Sequence, residues 1–519
     1  MTDSVATPVS LPYAASELNQ TGYRPVSDLQ NNARHLDTLD RDLQRFSHLE
    51  TATQYVARPM VAPGIALAFI VLTGLAASVF FGESPSSFVV IAAAVFGAYM
   101  ALNIGANDVA NNMGPAVGAN ALTLGGAIAI AAIFETLGAL LAGGDVVTTI
   151  SSGIIDPATV ADTQVFIWAM MAALISAALW INLATWVGAP VSTTHSVVGG
   201  VMGAGIAAAG FAAVNWTTMS AIAASWVISP FLGGLIAALF LALIKSRIIY
   251  QDDKIAAARR WVPILVGIMV GAFATYLVLK GLSRVVTVGL QTAAIIGLVL
   301  GVIAWIVTIP LIRRQSQGLE NRNKSLKVLF SVPLVISAAL LSFAHGANDV
   351  ANAVGPLAAI VHAAEFGTVT AQVAIPLWVM IVGAFGISFG LFLFGPKLIR
   401  MVGSQITKLN PMRAYCVALS AAFTVILASW LGLPVSSTHI AVGAVFGVGF
   451  FREWDAERRL RNSTLTREAT LRIAPEERRR RKLVRRSHFM TIIAAWVVTV
   501  PAAALISALV FVVLNSLAV

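Results

Sequence analysis

Gly105-Ala-Asn-Asp-Val-Ala-Asn-Asn-Met-Gly-Pro115 occurs a second time as Gly346-Ala-Asn-Asp-Val-Ala-Asn-Ala-Val-Gly-Pro356, with two differences in eleven positions. Each copy follows an apolar run and closes on Gly-Pro, a pair expected to break a helix or re-aim it. In helical register Asn107 and Asn111 stand i and i+4, and Asp108 and Asn111 stand i and i+3. Three oxygen-bearing side chains then crowd one face, and Asn348, Asp349 and Asn352 repeat the arrangement. A carboxylate flanked by carboxamides suits a hard cation, which prefers oxygen ligands.

The surrounding composition makes these clusters costly. Apolar residues make up 58% of the 519, charged residues only 11%, and mean hydropathy is +0.82. Such values exclude an ordinary soluble domain and predict an all-α polytopic membrane protein. Polar groups inside such a protein are too expensive to be idle. Cys416 is the one cysteine, which rules out a disulfide framework and Cys-based metal sites and reads as a small core residue. A net charge of +10 would suggest nucleic acid in a soluble protein. Here the excess lies in hydrophilic loops, so it reports topology and affinity for anionic lipid headgroups, with no nucleic acid expected.

In chain order, residues 1–58 read as a polar cytoplasmic N-terminal tail with one amphipathic helix near 35–54. An extra span follows at 61–81. The first repeat runs over 85–245, with spans near 88–104, 119–142, 164–187 and 217–245. Residues 246–327 form a two-span connector (262–281 and 286–312) with basic flanking loops. The second repeat covers 328–451, with spans near 374–395 and 413–431. A basic cytoplasmic loop (452–488) and a final span (489–516) close the chain. With the segments at 188–213 and 432–451 counted as crossings, the total is about 12–13 spans.

Those two segments are the second duplicated motif: Gly188-Ala-Pro-Val-Ser-Thr-Thr-His195 and Gly432-Leu-Pro-Val-Ser-Ser-Thr-His439. The Asn-Asp copies are 241 residues apart (108 to 349) and the Pro-Val-Ser copies 244 apart (192 to 436). One ancestral unit is therefore used twice. Placing the basic loops at 245–260, 313–327, 397–412 and 452–488 in the cytoplasm satisfies the positive-inside rule. It also puts Asp145, Asp156 and Asp162 outside. Counting back, the span into Asn107 runs inward and the span into Asn348 outward. The expected architecture is two inverted-topology repeats with interrupted or re-entrant helices.

Such repeats suit a secondary transporter better than a channel or an enzyme. Ser192, Thr193 and Thr194, like Ser436, Ser437 and Thr438, follow a proline where a helix restarts, so hydroxyls and free N–H groups offer an oxyanion site. The plainer reading is that they glue helices together. No Lys or Arg lies between Arg58 and Lys245, or between Lys327 and Lys397, yet Asp108, Glu135 and Asp349 do. An anion bound there needs helix N-termini and co-bound cations to offset its charge, which points to cation-coupled symport. Glu135, mid-span and without a counterpart in the second half, is a candidate for proton handling or gating, against a packing hydrogen bond. His195 and His439 are candidate hydrogen-bond partners behind the site, or proton carriers. His345, His362 and Glu365 read as wall or loop residues.

The four motif copies, in this order, resemble the inorganic phosphate transporter (PiT) family over roughly residues 85–515. The resemblance implies a phosphate symporter of the cell inner membrane, driven by sodium in some members and protons in others. It also implies that Asn107, Asp108, Asn111, Asn348, Asp349 and Asn352 build the cation sites, with sodium on Asp108 and Asp349. Ser192, Thr193, Thr194, Ser436, Ser437 and Thr438 would hold phosphate. Asn112 stands where the family motif often has Ala. The partners expected are inorganic phosphate, sodium ion or proton, and membrane lipids, with a homodimer admitted as the assembly and no cofactor beyond the coupling ion. Sodium is favoured because the Asn and Ser/Thr oxygens would serve a metal and are superfluous for holding a proton. Sulfate, also tetrahedral, is the competing substrate; an anion channel is the competing mechanism.

Overall fold

A computed structural model describes residues 58–82, 87–156, 159–160, 162–187, 191–281, 288–370, 373–401, 409–462 and 486–518. The helix expected near 35–54, Gly188–Pro190 of the first Ser/Thr motif, and 463–485 of the basic loop lie outside the described residues. The described chain is helical; among these residues the only β pairing is an isolated bridge between Ile155 and Val214. The helices are α1 (Arg58–Phe81), α2 (Ser87–Asn107), α3 (Val109–Gly118), α4 (Leu124–Ala142) and α5 (Gly144–Thr148), continued as a π turn (Thr149–Gly153). Next come α6 (Thr163–Val187), α7 (Thr193–Ala209), α8 (Trp216–Ile244), α9 (Lys254–Lys280), α10 (Leu290–Gln315) and α11 (Asn323–Leu329). The remainder are α12 (Ser331–Asp349), α13 (Ala351–Phe366), α14 (Leu377–Met401), α15 (Pro411–Trp430), α16 (Ser437–Asn462) and α17 (Arg486–Ala518).

Among the described residues, 11 helical stretches are long and apolar enough to cross a membrane, two of them being α2–α3 and α12–α13 taken together. The protein is therefore a multi-pass membrane protein. The count falls short of 12–13 because neither Ser/Thr motif helix qualifies. Helix α7 has only 17 residues, and α16 turns charged after Phe451. Its helix runs on to Asn462, so residues 452–462 of the expected loop are helical. The apolar window of α12–α13 is 89% buried, against 22% for α1, α10 and α17. The second Asn-Asp motif thus sits in the core, and those three helices present most of their surface outward, as suits contact with lipid.

Each Gly-Pro pair was expected to break its helix or re-aim it. Instead Pro115 and Pro356 lie inside α3 and α13, and the breaks fall upstream, at Asp108 and Val350. A proline ring clashes with the carbonyl four residues back, here Asn111 and Asn352, and the breaks fall upstream even of those positions. That places the interruption beside the Asn-Asp pair.

Packing is crosswise between the two halves. Helix α2 packs on α14 and α12 on α4, while α7 packs on α17 and α16 on α8. The first two crossings are backbone-close. A Cβ on Gly105 would lie 1.8 Å from the Ile387 carbonyl oxygen, and one on Gly346 would lie 2.2 Å from that of Glu135. Only glycine permits these approaches, and both glycines open an Asn-Asp motif.

Away from the core, Asp145 pairs with Lys280 at 2.6 Å, joining the end of α9 to α5. At the far end of α16, Asp455 pairs with Lys245 at 2.7 Å and accepts a hydrogen bond from Tyr250. Burial opposes ionisation of Asp455, but the hydrogen bonds and charges of Lys245, Tyr250 and Arg459 outweigh it and hold the carboxyl below its ordinary value. A depressed carboxylate contributes stability above the ordinary carboxyl pKa of about 4 and loses it as pH falls through the folded value. Asp455→Asn should therefore lower the thermal midpoint in detergent most at neutral pH, with the gap to wild type closing in acid. A gap that stays constant with pH would contradict the charge-based account.

Candidate substrate and ion site

The breaks in the Asn-Asp helices and the starts of the Ser/Thr helices meet in one buried cluster. Thr193 donates to Asp108 Oδ2 at 2.6 Å, and Ser437, its counterpart 244 residues on, approaches Asp349 Oδ2 at 3.4 Å. Asn111 Nδ2 donates to Thr438 Oγ1 at 2.8 Å, and Asn352 Nδ2 donates to Thr194 Oγ1 at 3.1 Å. Every pair obeys the repeat spacing: each carboxylate meets a hydroxyl of its own half, each carboxamide one of the other half. Thr438 also donates to Asp108 Oδ1 at 3.3 Å, and Thr194 donates to the Val435 carbonyl at 3.0 Å. The N-termini of α7 and α16 therefore abut, and two helix dipoles point positive ends into the cluster.

The other expected residues have more specific places. Ser192 and Ser436 cap α7 and α16, accepting from the backbone N–H of His195 (3.2 Å) and His439 (3.3 Å). Behind these caps the His195 and His439 rings lie 4.8 Å apart, and His195 stacks 3.8 Å from Trp226. Asn348 holds the unwound segment before α16: its Nδ2 donates to Ser429 Oγ (3.0 Å) and the Leu433 carbonyl (3.2 Å), and its Oδ1 accepts from Val435 N (3.2 Å). Asn107, its counterpart, is half-buried at the end of α2, and the matching segment 189–190 lies outside the described residues. Glu135 is fully buried on α4.

His345, read from the sequence as a wall residue, lies at the centre of the site. Its Nδ1 is 2.6 Å from Glu135 Oε2 and its Nε2 2.7 Å from Asp349 Oδ2, with all three side chains buried. The second contact lies off the ring N–H direction. Two such close contacts need two protons among three groups, or bare lone pairs would face each other. Imidazolium with two carboxylates, and neutral imidazole with one carboxylic acid, both satisfy this and both leave the triad at −1. Asn112, the departure from the familiar motif, donates to Glu135 Oε1 at 3.0 Å. A signal was present: His345 and Asp349 are i and i+4 on one helix face. His362 instead meets Thr370 at 2.9 Å, and Glu365 is exposed, as expected for loop-side residues.

Among the described residues, buried Asp349 Oδ1 and Asn352 Oδ1 have no hydrogen-bond partner, an uncommon state for buried polar oxygens. Asp108, His345 and Asp349 offer ligand atoms within 4.8 Å of one another. Hydroxyls at helix N-termini and orphaned carboxylate and carboxamide oxygens thus meet in one buried cluster enclosed by helices long and apolar enough to span a membrane.

Residues 104–507 match the phosphate transporter family. The chain is 46% identical to the "Putative phosphate permease" of Helicobacter pylori strain J99, over 91% of this chain and 99% of that one. It is 36% identical to a Pyrococcus abyssi protein of the same designation, over 80% of this chain and 96% of that one. A solved structure described as the sodium-dependent phosphate transporter superposes with a TM-score of 0.74 at 36% identity, covering 82% of this chain and 99% of that one. The chain belongs to the phosphate transporter family (PiT): it is a transporter and not an enzyme, and phosphate transport is the activity of its family.

The triad predicts a non-additive result. His345→Gln leaves two buried carboxylates without their shared partner and should cost about 3–5 kcal/mol. Adding Glu135→Gln should recover a large part of that loss, because the surplus charge goes with it. Thermal unfolding of the two single variants and the double variant in detergent checks this; additive losses would contradict a shared proton network.

Proposed function

We propose that the protein is a secondary active transporter that carries inorganic phosphate into the cell by cation-coupled symport, with sodium as the favoured ion. The observation that supports this most is the crosswise cluster, in which hydroxyls at two converging helix N-termini meet carboxylates and carboxamides of both halves. Thr193, Thr194, Ser437 and Thr438 would donate to the phosphate oxygens, supported by the N-terminal dipoles of α7 and α16. Ser192 and Ser436 would hold those helix starts in place. Asp108 and Asp349 would each accept from a P–OH or bind sodium, with Asn111 and Asn352 completing the oxygen set. Asn107 and Asn348 would fix the unwound segments.

Charge supports coupling. With Asp108 ionised and the triad at −1, the empty site carries −2 and repels a phosphate dianion at close range. Co-bound cations remove that repulsion, so anion and cation affinities must rise together. Sulfate has no proton to donate to Asp108 or Asp349, which favours phosphate over its isostere.

The two halves are read as inverted-topology repeats, with the N-terminus and the basic loops in the cytoplasm of a bacterial inner membrane. Crosswise packing suits alternating access, because rocking one half against the other breaks Asn111–Thr438 and Asn352–Thr194 while sparing contacts within each half. A second reading, proton coupling, draws on His345 between Glu135 and Asp349, a short path for a proton beside the site.

Proteoliposomes given a sodium gradient or a proton gradient separately, with sulfate as competitor, test the reading. Sodium-driven phosphate uptake that resists sulfate is expected, with Asp108→Asn and Asp349→Asn each abolishing the dependence on the gradient. Proton-driven uptake lost in Glu135→Gln would move the coupling to the triad. Uptake indifferent to both gradients would contradict symport and leave an anion channel.

A further inference from the structure

Residues 431–436 carry the chain from α15 to α16 outside any helix, directly into Ser437 and Thr438. Four successive carbonyls of this segment each accept a side-chain hydrogen bond. Gly432 accepts from Thr149 Oγ1 at 2.7 Å, Leu433 from Asn348 Nδ2 at 3.2 Å, Pro434 from Trp226 Nε1 at 3.0 Å and Val435 from Thr194 Oγ1 at 3.0 Å. Unwound backbone among membrane-spanning helices has no water to serve it, so such partners are required. Asn348 belongs to the second half, whereas Thr149, Thr194 and Trp226 all come from the first. The segment that leads into the second Ser/Thr motif is therefore placed mainly by the opposite half.

Thr149 and Trp226 lie outside the duplicated motifs. Thr149 stands at the head of the π turn Thr149–Gly153, a kind of turn that recurs at functional sites. Its bond to Gly432 is the shorter of two, the Asp145 carbonyl one turn back in its own helix lying at 3.3 Å. The turn also braces the second Asn-Asp motif, since a Cβ on Gly355 would lie 2.6 Å from Ile150 Cγ2. Gly432 has a left-handed φ of 67°, which favours glycine, and a Cβ there would lie 3.2 Å from Thr149 Oγ1. One short turn of the first half thus bears on both motifs of the second. Trp226, on α8, has its ring against His195 at 3.8 Å and its indole N–H directed at Pro434.

We propose that Thr149 and Trp226 are positioning residues for phosphate: they hold segment 432–435, and through it the start of α16, at the depth where Ser437 and Thr438 reach the anion. They act through backbone carbonyls and do not themselves contact the substrate. Removing either donor leaves a buried carbonyl unpaired and frees the start of α16 to shift, so affinity for the anion falls while the steps after binding are spared. The effect on transport rests on the reading of Ser437 and Thr438 as phosphate donors; the hold on the segment does not.

Three variants of the full chain test this. Thr149→Val keeps the side-chain shape and drops the donor, Thr149→Ser keeps the donor, and Trp226→Phe keeps a ring beside His195 and drops the N–H. Thermal unfolding first establishes which variants fold, and either folded donor-loss variant carries the test. Uptake of labelled phosphate is measured in proteoliposomes, and deuterium exchange over residues 433–439 in detergent without phosphate. Thr149→Val and Trp226→Phe should each raise the phosphate KM roughly three- to tenfold, the worth of one hydrogen bond, with the maximal rate within about twofold of wild type. Thr149→Ser should restore the wild-type KM. Exchange in the two donor-loss variants should rise over 433–439 and stay at the wild-type level in α9 and α10. Donor-loss variants that keep the wild-type KM, or that lower the maximal rate alone, would overturn the proposal. So would a Thr149→Ser as impaired as Thr149→Val. A wild type that takes up no phosphate, with exchange still raised over 433–439 in the variants, would uphold the hold on α16 and count against the transport reading instead.

Discussion

A carboxylate held away from water inside a membrane must be given a partner, and this protein holds three within one cluster. Asp108 is answered by two hydroxyls, at 2.6 and 3.3 Å, one from each half. Glu135 and Asp349 are joined through His345. The remaining structure follows from that need. Hydroxyls reach the carboxylates only if α7 and α16 start at the same depth as the breaks after α2 and α12. The approach of α2 and α12 to α14 and α4 depends in turn on the glycines that open the two motifs.

The crosswise pairing gives the site its dependence on both halves. Asn111 and Asn352 each donate to a hydroxyl of the other half, so neither half completes a ligand set alone. Yet the halves are unequal. Asp108 has both oxygens engaged, whereas Asp349 and Asn352 each keep a buried oxygen free. The triad also belongs to one side: the positions matching His345 and Asn112 through the 241-residue spacing are Ile104 and Ala353. Two equivalent frameworks have thus been given different electrostatics.

Much of this was legible in the residues. Duplicated polar motifs in an apolar chain announce themselves, and their constant spacing marks the residues that the fold gathers into one cluster. What escaped was whatever lacks a repeat. A lone histidine in an apolar run carries no sign of the Glu135 that faces it from a helix 210 residues away. The caps of Ser192 and Ser436 and the clamp of Asn348 on Leu433 to Val435 depend on the exact depth of a helix start, which periodicity fixes only to within a turn. The helix breaks likewise sit upstream of the Gly-Pro pairs that close each motif, at Asp108 and Val350.

A structure determined in sodium and phosphate tests the central claim most directly. It should show a tetrahedral anion between the starts of α7 and α16, touching Thr193 or Thr194 from one half and Ser437 or Thr438 from the other, with sodium against Asp349 Oδ1 and Asn352 Oδ1. Phosphate density away from these helix starts, or contacting the motif of one half alone, would contradict the account.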